Sequence, residues 1–247
     1  MQCAACKFEN PQGNRFCGGC GARLQLVCHA CGEEVPESHK FCGHCGASQE
    51  TTEQDLAPRT ERRQLTVMFC DLVGSTELSG KLDPEELRRL IVSYQDTTTH
   101  AVEQFDGHVA QHLGDGLLIY FGYPRAHEDD ARRAVAAGLS VLAAVANLNQ
   151  KLGSEQQLQV RVGVHTGPVV TGAIGAGDRR EELAVGQTPN IAARLESIAD
   201  ADTVVISGTT RDLASPTFEY MSLGQHALKG VSESVEVFRV VREVVCP

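Results

Sequence analysis

Two aspartates stand where the chain turns. Leu65-Thr66-Val67-Met68-Phe69-Cys70 is a nearly continuous apolar run, the pattern of a central strand buried on both faces, and it ends in Asp71-Leu72-Val73-Gly74-Ser75-Thr76. A carboxylate at the exit of such a strand, followed by a glycine turn and hydroxyls that open a helix, is a place for a metal ion and a phosphate. Taken alone, Asp71 reads better as the start of a turn. Asp115 changes the balance: His108 to Leu113 and Leu117 to Phe121 read as two strands joined by Gly114-Asp115-Gly116, a hairpin with a second carboxylate at its tip. Between strand and hairpin, Asp83-Pro84-Glu85-Glu86 announces a helix, with Asp as N-cap and Pro in the first turn. Strand, helix and hairpin can set the two aspartates side by side. Two carboxylates there would bridge hard cations, Mg2+ or Mn2+, which hold phosphates and lower the pKa of a bound hydroxyl.

A second chemistry lies near the N-terminus. Cys3, Cys6, Cys17 and Cys20 repeat, 25 residues on, as Cys28, Cys31, Cys42 and Cys45, giving two copies of C-x2-C-x10-C-x2-C. Each second pair sits in the same surroundings, Phe16-Cys-Gly-Gly-Cys-Gly21 and Phe41-Cys-Gly-His-Cys-Gly46. Four thiolates from two tight turns suit tetrahedral Zn2+, one structural ion per set and two per chain. A disulfide framework is the competing reading; it needs an oxidising compartment and leaves the paired C-x2-C spacing unexplained. So short a segment cannot build a core, so metal must supply its folding energy. His29, His39 and His44 are not needed as ligands, since cysteine fills each shell. The pattern resembles the double zinc ribbon over residues 1–46.

Residues 47–61, beginning ASQETTEQDLAPRT, have no apolar periodicity and fit a flexible tether. A larger domain follows over 62–242, with a tail at 243–247. The 247-residue chain carries a net charge of −10, and residues 1–60 hold 5 Lys or Arg against 7 Asp or Glu, so neither the whole nor the ribbons would collect nucleic acid. Docking of a protein partner, or regulation, is the better role for the ribbons. Met1 is followed at once by Cys3, Cys6 and Lys7 without a leader-like apolar run. The longest apolar stretch, Ala134 to Leu148, is too short to span a bilayer. A soluble, cytoplasmic protein without membrane contact is expected. The helix from about Glu128 to Leu152 reads as Ala-rich core packing, Cys70 as a buried thiol, Cys246 as part of a frayed tail, and the polar stretch Gly175 to Glu182 as a mobile hairpin. Gly74 to Gly80 before Lys81 is one residue too long for a Walker A loop, and Gly172, Gly175 and Gly177 lack dinucleotide-fold spacing.

FCDLVGST, GHVAQHLGDGLLIYFG, VRVGVHTGPVVTGAIG, VGQTPNIAARLESIA and ALKG, in that order, resemble the class III adenylyl and guanylyl cyclase catalytic domain from about Arg62 to Arg242. The resemblance implies an α+β fold, a ferredoxin-like βαββαβ core with added strands, and active sites shared across a head-to-tail homodimer. It also implies conversion of ATP to 3′,5′-cyclic AMP and pyrophosphate with two Mg2+ or Mn2+ per site.

Asp71 and Asp115 match the family's metal-binding aspartates. Gln159 to His165 alternates Val160, Val162 and Val164 with Arg161, which matches an arginine that contacts the triphosphate. Thr188-Pro189 reads as an N-cap and first helical residue, which places Asn190 and Arg194 four apart on one face. That pair matches residues that orient the ribose and stabilise charge on the reacting phosphate. Lys229 matches a lysine that reaches the terminal phosphates. The implied dimer draws Asp71, Asp115 and Arg161 from one chain and Asn190, Arg194 and Lys229 from the other. The base-reading positions depart from the family: Gln111 and Leu183 stand where adenylyl cyclases carry a lysine and an aspartate or threonine, and guanylyl cyclases a glutamate and a cysteine. Glutamine can donate and accept, leucine can do neither, so base choice is left open. Relaxed or GTP preference, or a catalytically weak or inactive domain that senses nucleotide or binds a partner, are the alternatives.

Overall fold

Strand β1 (Glu61–Leu72) is the axis of the larger unit. The computed structural model describes residues 3, 6–10, 16–22, 41–46, 61–152, 157–174, 181–214 and 216–244. The chain divides into two units, Met1–Pro58 and Arg59–Pro247. The tether positions 47–60, the cysteines Cys28 and Cys31, the histidines His29 and His39, residues 175–180 of the stretch Gly175 to Glu182 read as a mobile hairpin, and Cys246 lie outside the described residues, while Glu181 and Glu182 open a strand.

In the larger unit β1 is followed by α1 (Ser75–Lys81), α2 (Pro84–Glu103), β2 (His108–Leu113), β3 (Gly116–Phe121), α3 (Asp130–Leu152), β4 (Val160–Ile174), β5 (Glu181–Val185), α4 (Gln187–Ile198), β6 (Thr203–Ser207), α5 (Gly208–Ala214), β7 (Phe218–His226) and β8 (Val235–Glu243). The sheet runs β2-β3-β1-β4-β6-β8-β7, with β5 paired to β4. The first four strands, antiparallel throughout and ordered 2-3-1-4, form a βαββαβ core; β6 adds to it parallel to β4, and β7–β8 close it as an antiparallel pair. This is the α+β, ferredoxin-like arrangement with added strands.

Burial explains the strand patterns. In β1, Leu65, Val67, Met68, Cys70 and Leu72 are buried because α3 and α4 pack on it, and all six residues of β3 are buried, its Tyr120 Oη accepting from the Ala184 amide of β5 at 3.2 Å. Met68, Cys70, Val160, Val162 and Val164 join α2 and α3 in the main cluster, while Leu65, Val67 and Ala192 form part of a second cluster on the α4 side. The buried Cys70 Sγ lies 3.1 Å from Tyr94 Oη, and desolvation pushes its pKa up to about 12, so it is an inert core thiol.

Helix α3 differs in one respect from its sequence reading. At 23 residues, with an 18-residue window of mean hydropathy 1.3, it has the length and composition of a membrane-spanning segment, the one such helix among the described residues. Here that apolarity faces the sheet: Ala134, Val135, Ala137, Val141 and Val145 are buried, and a Cβ at Gly138 would lie 3.1 Å from a Val204 methyl. Small residues let α3 settle closely on the strands.

In the smaller unit, Cys17 and Cys42 occupy equivalent turns. The Gly19 amide donates to Cys17 Sγ and the His44 amide to Cys42 Sγ, both at 3.4 Å. Gly21 and Gly46, one after the second cysteine of each pair, take positive φ of 71° and 74°, and their amides return to the carbonyls of Cys17 and Cys42.

Candidate active site

Asp71 lies near the end of β1, opposite Arg161 of β4 in the strand register. Asp115 caps the β2–β3 hairpin, whose turn is set by Gly114 at φ 70° and tied to α2 by Gln95 Nε2 donating to the Gly114 carbonyl at 2.8 Å. Gly116 is needed there for space: a Cβ on it would sit 3.0 Å from Asp71 Oδ1. Fold and turn thus bring the two aspartates together, as their spacing suggests.

The charges around them do not balance. Asp71, Asp115 and Glu196 of α4 share the site with Arg161, whose Nε is 3.3 Å from Glu196 Oε1. Burial first, and then the Asp115 charge, push the Asp71 pKa up to about 6, against the opposing pull of Arg161. Burial likewise raises Glu196, with Arg161 acting the other way. Three carboxylates against one guanidinium leave an excess of two negative charges, and Asp115 Oδ2 is buried with no hydrogen-bond partner. An orphaned, buried carboxylate oxygen beside a second carboxylate is costly unless a cation meets it. Asp71 and Asp115 therefore fit Mg2+ or Mn2+, whose ligands are hard oxygens.

Among the described residues, no hydrogen bond or ion pair joins Asn190, Arg194 or Lys229 to this cluster. Asn190 and Arg194 are both exposed, one helical turn apart on α4; Arg194 points about 160° away from Glu196 around the helix axis. Lys229 is exposed in the loop between β7 and β8, where Gly230 has φ 86°. One correction concerns α4: its N-cap is Gly186 and it begins at Gln187, so Thr188 does not cap it. The Thr188 hydroxyl instead donates to the Pro168 carbonyl at 2.9 Å, tying the helix start to β4. Gln111 is half-buried on β2 next to a bulge between Val109 and Gln111. Leu183 is placed by its backbone in β5 opposite Gly172, and its side chain is outside the described residues.

Glu196 and Gln95 are absent from the sequence reading, and Gly116 enters it only as a turn residue, without its close approach to Asp71. Glu196 left one signal, an acidic residue four after buried Ala192 and next to buried Leu195, hence on the inward face of an amphipathic helix. Gln95 left none, because its role depends on where the hairpin tip lands.

In the smaller unit the sulfurs of Cys3, Cys6, Cys17 and Cys20 lie within 4.8 Å of one another. Cys3 to Cys20 is 3.7 Å and Cys6 to Cys17 is 3.5 Å, near the edge of about 3.8 Å that a tetrahedron of 2.3 Å Zn–S bonds requires. Both separations are far beyond a disulfide bond. Desolvation opposes ionisation of Cys17, yet hydrogen bonds from Asn10 and the Gly19 amide bring its pKa down to about 6. This set fits Zn2+. Of the second set, Cys42 and Cys45 are described and their partners are not.

Fold, paired carboxylates and cysteine cluster define a cyclase-type catalytic domain accompanied by a zinc ribbon. The chain belongs to the adenylate and guanylate cyclase catalytic domain family, whose model matches residues 58–241, and the double zinc ribbon matches residues 3–46. Adenylate cyclase 1 of Rhizobium meliloti (strain 1021) is 29% identical over 184 residues, covering 73% of this chain and 28% of that protein. The chain thus spans about a quarter of that relative's length. Among solved structures, the adenylyl cyclase CyaB from P. aeruginosa is 32% identical with a TM-score of 0.71, covering 74% of this chain and 96% of that one. The guanylyl cyclase Cya2 is 33% identical with a TM-score of 0.70, covering 73% and 93%.

Proposed function

We propose that this chain is a nucleotidyl cyclase that converts ATP to 3′,5′-cyclic AMP and pyrophosphate at sites shared by two copies, with its zinc ribbons docking a protein partner or regulating the domain. The observation that carries the reading is the half-buried Asp71–Asp115 pair, left with excess negative charge and an unpartnered Asp115 oxygen. These two carboxylates would hold Mg2+ or Mn2+, and the ions, when bound, lower the pKa of the ribose 3′-hydroxyl and neutralise the triphosphate. The 3′-oxygen bonds to the α-phosphorus, the bond to the bridging oxygen breaks, pyrophosphate leaves with that electron pair, and the hydroxyl proton passes to solvent.

Arg161 binds triphosphate oxygens from the same chain as the aspartates. A second copy supplies Asn190 to orient the ribose, Arg194 to offset charge on the reacting phosphate and Lys229 for the terminal phosphates. Their exposure in one chain supports this, since a monomer would leave each constellation half built. Such catalysis is positioning plus charge stabilisation. ATP is favoured by the similarity to chains named adenylate cyclase, but Cya2 is as similar, and Gln111 with Leu183 favours relaxed base choice or GTP as the second reading.

The test is purified chain with Mn2+ and either ATP or GTP, read for cyclic nucleotide. Cyclic AMP is expected, with a loss of about a thousandfold in Asp71→Ala. No product from either nucleotide, at concentrations that permit dimers, would overturn the enzymatic reading; binding without turnover would mark a nucleotide sensor.

A further inference from the structure

Arg161 occupies an awkward position. It faces Asp71 across the β1–β4 register, with Asp115 beside that aspartate, and a guanidinium free to choose would fork onto those carboxylates. Bound there, it would occupy the oxygens a divalent cation needs and turn its own donors away from a triphosphate. In the structure it makes no hydrogen bond to either aspartate among the described residues. Its Nε is buried against Glu196 Oε1 at 3.3 Å, too poorly aligned for a hydrogen bond, while the side chain as a whole remains 29% exposed.

Glu196 is in reach only because of the residue between them on β4. Gly163 lies two residues along from Arg161 on the same face, and a Cβ there would come within 2.1 Å of the Glu196 amide nitrogen and 2.5 Å of the Ala192 carbonyl. The helix backbone rests directly on the strand, which brings the Glu196 carboxylate, 12% exposed, beside the guanidinium.

We infer that Glu196 is a positioning residue: its charge attracts Arg161 as an ion pair at Nε, drawing the guanidinium off Asp71 and Asp115, so that the aspartates stay open to a divalent cation and the outer guanidinium edge stays open to phosphate. This rests on the cyclase reading of the site. It assigns Glu196 no contact with substrate. Without its carboxylate, Arg161 collapses onto Asp71 and competes with the cation.

The test is a double-mutant cycle on the full chain with Glu196→Gln, Arg161→Gln and the double variant. Mn2+ binding is followed by electron paramagnetic resonance, and binding of Mn2+ with 3′-deoxy-ATP, which cannot cyclise, by calorimetry. Glu196→Gln should weaken Mn2+ binding at least about tenfold, the scale of a cation placed against a carboxylate. In the Arg161→Gln background the same change should cost less than about twofold, because the competitor is gone. Should Glu196 act through its own charge or by supporting the fold, the loss persists in that background, and this result overturns the inference. If either arginine variant fails to fold, Glu196→Gln alone decides: KM for the Mn2+–nucleotide must rise with kcat within about threefold, and an unchanged KM overturns the inference. Wild-type chain that binds Mn2+ and 3′-deoxy-ATP but forms no cyclic nucleotide defeats the enzymatic reading and leaves the cycle to decide on Glu196. Wild-type chain that binds neither overturns both.

Discussion

His165 belongs to a part of the molecule that the chemistry above does not use. Desolvation brings its pKa down to about 4, and its Nδ1 lies 2.7 Å from Ser207 Oγ. From there a buried run of hydroxyls continues through Thr210 at 3.0 Å and Thr166 at 3.1 Å to Thr66 at 2.9 Å, joining β6, α5, β4 and β1. Burying so many hydroxyls is tolerable only because each meets another. The fold thus binds the neutral ring. Its folded pKa lies below the unfolded value of about 6.5, so the unfolded chain takes up more protons between those pH values, and stability falls as pH drops from about 6.5 to about 4. The contribution at stake is at most about 3 kcal/mol. Urea midpoints measured across that range should fall more steeply for the wild type than for His165→Asn, which keeps a polar atom near Nδ1; parallel slopes would refute the assignment. At this scale, the sequence disclosed Asp71 and Asp115 because each sits at a turn between recognisable strands. Glu196 and Ser207 stayed hidden because their partners are 35 and 42 residues away along the chain.

Elements were easier to read than their ends. The Asp83-Pro84 start of α2 is where its residues place it, with Asp83 Oδ1 accepting from the Glu85 amide at 2.9 Å, because capping is decided within one turn. The α4 start departs from its sequence reading for the converse reason: Thr188 has the look of a cap, but the hydroxyl finds the Pro168 carbonyl on a neighbouring strand, and such a tertiary partner leaves no local trace. Strand β4 extends to Ile174, well past the alternating stretch ending at His165, because β1 pairs along it from Val160 to Thr171 and β5 continues on its far end. The contact between α4 and β4 at Gly163 carries a sharp expectation. A methyl group there would overlap the helix backbone at 2.1 Å, and backbone, unlike a side-chain tip, cannot rotate away. Gly163→Ala should cost about 3 kcal/mol, the upper part of the range for overpacking, and displace the helix bearing Asn190, Arg194 and Glu196. Gly138→Ala is the control: its neighbours are Val204 methyls at 3.1 and 3.2 Å, which can shift, so its loss in denaturant midpoint should be the smaller. Equal losses would show that the backbone contact is not what limits position 163.

For the whole molecule, the same helix serves two ends. Its inward face places Glu196 against Arg161 of its own chain, while Asn190 and Arg194 are exposed and, among the described residues, make no hydrogen bond or ion pair with the aspartate cluster. A two-fold, isologous pairing of two copies would give two equivalent sites, each with the aspartates of one chain and the Asn190 and Arg194 of the other. The proposed sharing has a numerical consequence. Asp71→Ala and Arg194→Ala should each be inactive alone, since every site in either homodimer lacks one component. Mixed in equal amounts and allowed to exchange, half the dimers carry one variant of each kind, and in those one site combines the intact Asp71 of one chain with the intact Arg194 of the other. The mixture should therefore recover about one quarter of wild-type activity, the product of those two halves. Asp71→Ala mixed with Asp115→Ala offers no such site, because both defects fall in the half contributed by a single chain, and should stay inactive. Recovery in the first mixture and not in the second would tie the outward face of α4 to the partner's aspartates. Failure of the first mixture, with exchange verified by differently tagged chains, would mean that each chain assembles its site alone.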